Sequence, residues 1–158
     1  MSTPIPSAER NVYYHQYRWL FLLGTAFSFA VMLHQLIAGR TIILLILYIY
    51  LTAYTFALAF LTRIETSASG ISYHNMGFYS IRTSWDNVAG VRNVPMRFFG
   101  ETRCLVLHEP AAHGWTNLAI GLSASERGRT IPLPRYDSWA RIQELENDIR
   151  RYTGHEVL

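Results

Sequence analysis

The chain has 158 residues, half of them hydrophobic, and a formal net charge of +3. That length allows one modest soluble domain plus an apolar anchor and little more. All fourteen basic residues are Arg, and so small and scattered an excess excludes the electrostatic footprint of a nucleic-acid binder. The single cysteine, Cys104, excludes an internal disulfide and with it a disulfide-stapled module.

Residues 1–18 read as an N-terminal juxtamembrane segment. Tyr13, Tyr14, Tyr17 and Trp19 suggest an aromatic belt at a membrane interface. A helical hairpin is expected over residues 19–62. Its first arm, residues 19–38, is uncharged but carries Thr25, Ser28, His34 and Gln35. A cleaved signal peptide is the competing reading, but the run is too long and a second one follows at once. The second arm, residues 42–61, has no charge, Pro or Gly. At about 1.5 Å rise per residue, either arm spans roughly the 30 Å of a hydrocarbon core. A domain this small cannot enclose a helix that is apolar on every face.

Gly39, Arg40 and Thr41 are all that separate the arms, so the hairpin is antiparallel with both chain ends on one side. Arg10, Arg18 and Arg63 flank the open end against Arg40 at the turn, which predicts both termini in the cytoplasm. With the turn centred on Arg40, Ser28 lies level with Thr52, and Gly24 level with Phe56. Gly24 and Ser28 form a small-xxx-small pair, so Gly24, Ser28 and Thr52 are the expected packing seam. His34 and Gln35 are polar groups inside a span, which makes them candidates for contact with a membrane partner or a cofactor. With no second His in the arms, a bis-His haem within one chain is excluded.

After Arg63 the period changes to that of a β domain, expected over residues 63–153. Ile71 and Tyr73 alternate, as do Tyr79, Ile81, Thr83 and Trp85. Leu105 and Leu107 follow, then Leu118, Ile120 and Leu122, then Ile131 and Leu133. Gly70 and the Asn75-Met76-Gly77 run supply turns, and residues 109–114 and 123–128 read as loops. The pattern predicts an antiparallel barrel or sandwich. A C-terminal helix follows, with Asp137 or Ser138 as its N-cap. Trp139, Ile142, Leu145, Ile149 and Tyr152 share its apolar face, and Arg141, Glu144, Asp148 and Arg151 the opposite one. Gly154 ends it, leaving residues 154–158 as a tail.

Strands first and one amphipathic helix last, in about ninety residues, resembles a pleckstrin-homology (PH) barrel. Residues Ile64-Glu65-Thr66, Gly70-Ile71-Ser72-Tyr73, and the run from Ile81 through Trp85 and Val88 to Val91, resemble bacterial PH-like membrane proteins. In that family a paired transmembrane segment precedes the same pattern, and Ile131-Pro132-Leu133 is similar to its last strand. The fold class the chain suggests is therefore an α+β membrane protein: a two-helix transmembrane hairpin, then an antiparallel PH-like domain capped by a helix. The resemblance implies a bacterial inner-membrane location and a non-enzymatic module that binds lipids, peptides or neighbouring proteins. The first strand-to-strand loop of PH domains that hold phosphoinositides is basic. Here that loop is Ser67-Ala68-Ser69-Gly70, with no cation.

The run from His108 to His113 looks like a zinc-protease motif, but its histidines are five apart with Pro110 between them, so a surface loop is expected and no metal site. Met96, Arg97, Phe98 and Phe99 form an apolar-basic segment that suits either a packed loop or contact with a membrane or partner. Cys104 reads as an inert buried thiol. No nucleophile elbow, phosphate loop or paired carboxylates appear, so no catalytic residue and no cofactor are assigned. The expected function is a membrane-anchored PH-like interaction protein. The alternatives are an accessory subunit of a larger membrane complex and a lipid-binding protein. The expected partners are the lipid bilayer and membrane proteins, with a homo-oligomer left open and no nucleic acid.

Overall fold

The computed structural model describes residues 10–39, 42–96, 100–114, 126–133 and 139–154, with side chains in the last segment from Arg141 onward. Arg40, Arg97, Phe98 and Phe99, the strand read over Leu118, Ile120 and Leu122, the caps Asp137 and Ser138, and the Trp139 side chain lie outside the described residues. The chain is α+β. Among the described residues there are three α-helices, two of them long and apolar near the N-terminus, and two antiparallel sheets.

Helix α1, Arg18–Ile37, and helix α2, Ile42–Phe60, pack against each other as an antiparallel pair. Both stretches lack Pro and are rich in Leu and Ala, which favours helix. The seam between them is polar. Thr52 Oγ1 donates to Ser28 Oγ at 2.9 Å, and Thr25 Oγ1 to Thr55 Oγ1 at 2.9 Å. Each of these hydroxyls also lies within hydrogen-bonding distance of a carbonyl of its own helix, as Ser28 does with Gly24 at 2.8 Å. A Cβ on Gly24 would meet Thr55 Cγ2 at 3.6 Å. Phe56, although level with Gly24, turns to another face and packs on Phe60 at 4.7 Å.

Strand β1, Asn11–Tyr14, precedes the hairpin, and strand β2, Arg63–Ser67, follows it. They pair antiparallel, with Tyr14 opposite Arg63 and Asn11 opposite Thr66. Residues 11–14, read from sequence as part of a juxtamembrane segment, are thus a strand of the β domain. Tyr13 is fully buried in the β domain rather than part of an aromatic belt. A four-residue strand is too short to show a period by itself. It forms because the hairpin returns its two ends side by side.

Strands β3, Gly70–Asn75, and β4, Tyr79–Thr83, continue the sheet, and β7, Ala112–Gly114, closes it in the order β1-β2-β3-β4-β7. The second sheet has the order β5-β6-β8, from Val88–Met96, Gly100–Leu107 and Thr130–Pro132. Two local expectations are corrected. Trp85 starts a 3₁₀ turn, Trp85–Asn87, instead of extending β4, and residues 112–114 are strand rather than loop. Trp85 stays buried because its Nε1 donates to the Ser67 carbonyl at 2.8 Å. The stretch at residues 112–114 has no alternation to betray it; its order comes from pairing with Tyr79, Ser80 and Ile81.

One core fills the space between the sheets. Tyr13, Ile64, Ile71 and Ile81 from the first sheet meet Leu105 and Ile131 from the second. Helix α3, Trp139–Thr153, closes the gap with Leu145 and Ile149, and its Tyr152 stacks on Trp85 at 5.0 Å. Asp148 corrects the helical-wheel reading. It does not face solvent, but accepts hydrogen bonds from Tyr13 Oη at 2.8 Å, Asn11 Nδ2 at 2.9 Å and Thr66 Oγ1 at 2.6 Å. On the other side, Glu146 reaches Arg103 of β6 at 3.9 Å. The helix is thus tied to both sheets.

Candidate functional site

Alternation along β2 sends Ile64 and Thr66 to the core side and leaves Arg63, Glu65 and Ser67 on the outer face. The register extends this face across the sheet. Glu65 lies beside Ser72, and Ser72 beside Arg82; one row nearer the helices, Arg63 lies beside His74 and His74 beside Ser80. A cleft of about 520 Å³ opens here. It is lined by Arg10, Glu65 and Arg82 together with Ser67, Ser69, Ser72, Thr83 and Ser84, which places it within the size range of small-molecule sites.

Glu65 is the anchor of this face. Only 7% of it is exposed, yet it is ionised: Arg63 Nε donates to Oε1 at 2.6 Å and Arg10 Nη2 donates to Oε2. Burial alone would raise its carboxyl, but the two arginines outweigh that and hold it below the ordinary glutamate range. His74 Nε2 sits 3.6 Å from Glu65 Oε2, too far for a hydrogen bond. Burial pulls the imidazole below its ordinary value, with Glu65 opposing and Arg63 and Arg82 reinforcing, so His74 is neutral at pH 7. Its buried Nε2 has no hydrogen-bond partner among the described residues. Arg82 is exposed and forms no ion pair among the described residues.

Gly70 shapes the cleft. It has φ +155°, and a Cβ there would stand 2.1 Å from the Thr83 carbonyl oxygen. Only glycine lets β3 begin so close to the end of β4. At the neighbouring corner Asn87 donates to Thr83 Oγ1 at 2.9 Å and to the Glu109 carbonyl at 3.0 Å, and accepts from the Glu109 amide at 2.8 Å.

The residues singled out from sequence fall elsewhere. His34 is exposed on α1, while Gln35 is half-buried with an Oε1 that has no hydrogen-bond partner among the described residues. Gly24, Ser28 and Thr52 meet at the interhelical seam. Met96 pairs with Gly100 across the β5–β6 hairpin and packs against the core. His108 and His113 are exposed, with His113 in β7, and no metal-binding cluster occurs among the described residues. Cys104 is buried, and burial pushes its thiol up to about 12. None of Arg10, Glu65, His74 and Arg82 stands out from the sequence as a site residue; Glu65 and Arg82 fall only within the stretches that resemble the PH-like pattern. The trace of this face in the sequence is the charge of Arg63, Glu65 and Arg82 at alternate positions of strands otherwise apolar on one face.

Comparison with protein-family models, with curated proteins and with solved structures returns no match.

Proposed function

We propose that the chain is a membrane-anchored, non-catalytic interaction protein, with α1 and α2 spanning the bilayer and a PH-like domain held at its cytoplasmic face. The carrying observation is the way the hairpin joins the sheet: α1 leaves from β1, α2 delivers β2, and the two strands pair. The outer-face cleft is therefore fixed in orientation relative to the helices rather than hung on a linker.

A bilayer is the fitting solvent for the helices. Phe27 is 69% exposed, Ile37 85% and Ile42 72%, far more contiguous apolar surface than water tolerates. The PH-like reading is supported by two stacked sheets closed by a single C-terminal helix, together with the short motifs around Gly70, Trp85 and Ile131. Anchoring confines the domain to the surface and raises the effective concentration of its membrane neighbours, so modest contacts suffice for association.

A specific observation also favours the accessory-subunit reading. Tyr50 and Tyr54 stack at 6.1 Å on an exposed face of α2, and Tyr50 lies near mid-span, where lipid offers its hydroxyl no acceptor. A neighbouring helix would supply one.

Mild-detergent purification of the tagged chain from its native membrane, followed by sizing and mass spectrometry, tests both readings. A defined membrane protein in fixed ratio supports the subunit reading, and substoichiometric partners that depend on the β domain support the interaction module. Elution alone after cross-linking in the membrane overturns both.

A further inference from the structure

We propose that the outer-face cleft of the five-stranded sheet binds a phosphoryl group approaching from the aqueous side, gripped between Arg10 and Arg82. This goes beyond the interaction role above, and it uses the same anchored orientation.

The donors are in place. Arg10 gives one N–H to Glu65 and keeps the rest of its fork, while Arg82 has no carboxylate partner among the described residues. Ser72 and Ser84 line the same cleft, and their hydroxyls donate to nothing among the described residues. With strands about 4.8 Å apart, the β1 end and β4 stand roughly 14 Å from each other, so two arginine side chains can converge on one anion between them.

Charge points the same way. Among the residues that line the cleft, Arg10 and Arg82 against Glu65 leave an excess of one positive charge, which favours an anion. Glu65 does not cancel the site; it orients Arg10 and Arg63 along the sheet face. Two guanidinium forks and two hydroxyls offer more donors than two carboxylate oxygens use, whereas three phosphate oxygens accept them readily.

Direction of approach separates this site from the protein's own bilayer. β2 leaves α2 at Arg63 and reaches Ser67 about 13 Å further on. The headgroup layer adds only roughly 5–7 Å beyond the hydrocarbon. The Ser67–Gly70 end of the cleft is the end farther along β2 from the helices, and a strand that runs away from the bilayer carries it past the headgroup layer. A phosphate ester in solution and a headgroup on an apposed membrane share the required chemistry.

The test uses the full chain in dodecyl maltoside, which contains no phosphorus. Inorganic phosphate and glycerol 3-phosphate are titrated by ³¹P line broadening against the wild type, Arg82→Gln, Ser69→Asp and, as an exposed arginine outside the cleft, Arg129→Gln. Saturable broadening is expected, weakened about tenfold or more in Arg82→Gln and Ser69→Asp and unchanged in Arg129→Gln. In a second arm, the chain in phosphatidylcholine nanodiscs is mixed with phosphatidic-acid vesicles. Co-flotation that glycerol 3-phosphate competes away identifies an apposed headgroup as the source, and its absence beside clear titration identifies a soluble ester. No saturable broadening in the wild type, or equal broadening in wild type and both cleft variants, overturns the proposal and leaves partner co-purification untouched.

Discussion

Tyr14 and Arg63 are register partners across β1 and β2, although the entire helical hairpin separates them in sequence. The two helices thus occupy the place of a β-turn. This arrangement predicts which truncations fold. A chain in which residues 15–62 are replaced by Asn-Gly should give a soluble, cooperatively melting domain, because that dipeptide closes a two-residue hairpin between paired strands. A chain that begins at Arg63 loses β1 and with it the buried Tyr13, at a cost of about 3 kcal/mol or more. Near-ultraviolet circular dichroism and thermal melts of the two distinguish them. Equal stability would show that β1 is dispensable.

The hairpin, the alternating strands and the amphipathic α3 were legible because each has a period that burial imposes. Ser28 and Thr52 could be placed together from a short turn and antiparallel depth alone. What escaped was non-local. β1 has four residues and no period, and its partner lies beyond both helices. Asp148 sits on the polar side of a helical wheel, yet the wheel cannot show that Asn11, Tyr13 and Thr66 arrive there from another sheet. The cleft escaped for the same reason: Arg10, Glu65 and Arg82 come from segments that only the sheet register brings together.

Asp148 accepts three hydrogen bonds that tie α3 to β1 and β2, one of them from the phenol of fully buried Tyr13. Asp148→Ala leaves those donors without their acceptor and should destabilise the domain by about 3 kcal/mol, whereas Asp148→Asn keeps one acceptor oxygen and should cost about half as much. Urea denaturation of the soluble domain checks the order. Equal losses in the two variants would mean that side-chain volume, not hydrogen bonding, sets the effect.

Acid should destabilise the domain in two stages. His74 is held below 6.5 by burial, so the unfolded chain takes up a proton before the folded one and stability declines as pH falls from about 6.5 toward the folded value. Glu65 and Asp148 would be raised by burial, but hydrogen bonds from Arg63 and Arg10, and from Thr66, Asn11 and Tyr13, hold them below their ordinary values of 4.5 and 3.8. Their stabilisation is complete above those values and is lost as pH falls through the folded ones. Melting temperature against pH should therefore fall first below about 6.5 and again below about 4.5. His74→Gln should remove the first step and spare the second.

Gly70→Ala should be among the most damaging single-methyl changes in the domain. The new Cβ would lie 2.1 Å from the Thr83 carbonyl oxygen and 3.0 Å from Ser84 Cα, and both neighbours are backbone that cannot step aside. The β3–β4 pair must shift, so Ser67–Gly70 and Thr83–Ile71 pairing loosen together. Amide exchange should accelerate at both strand ends. An unaltered exchange pattern would show that the sheet absorbs the methyl elsewhere.

At the interhelical seam, contact distance decides which substitutions are tolerated. A Cβ on Gly24 stands 3.6 Å from Thr55 Cγ2, an ordinary van der Waals separation, so Gly24→Ala should be accepted. Gly24→Leu adds a branched group where the helices leave no room and should force them apart. The hydroxyl pairs contribute less than the close approach does. Each hydroxyl has its own helix carbonyl within reach, so removing Thr52 or Ser28 strands no polar group. A Thr52→Val, Ser28→Ala double-mutant cycle should give a coupling of only about 0.6 kcal/mol. Melts in detergent should therefore rank Gly24→Leu well below either hydroxyl variant. The reverse ranking would mean that the pair Ser28–Thr52, and not the small residue, holds the hairpin closed.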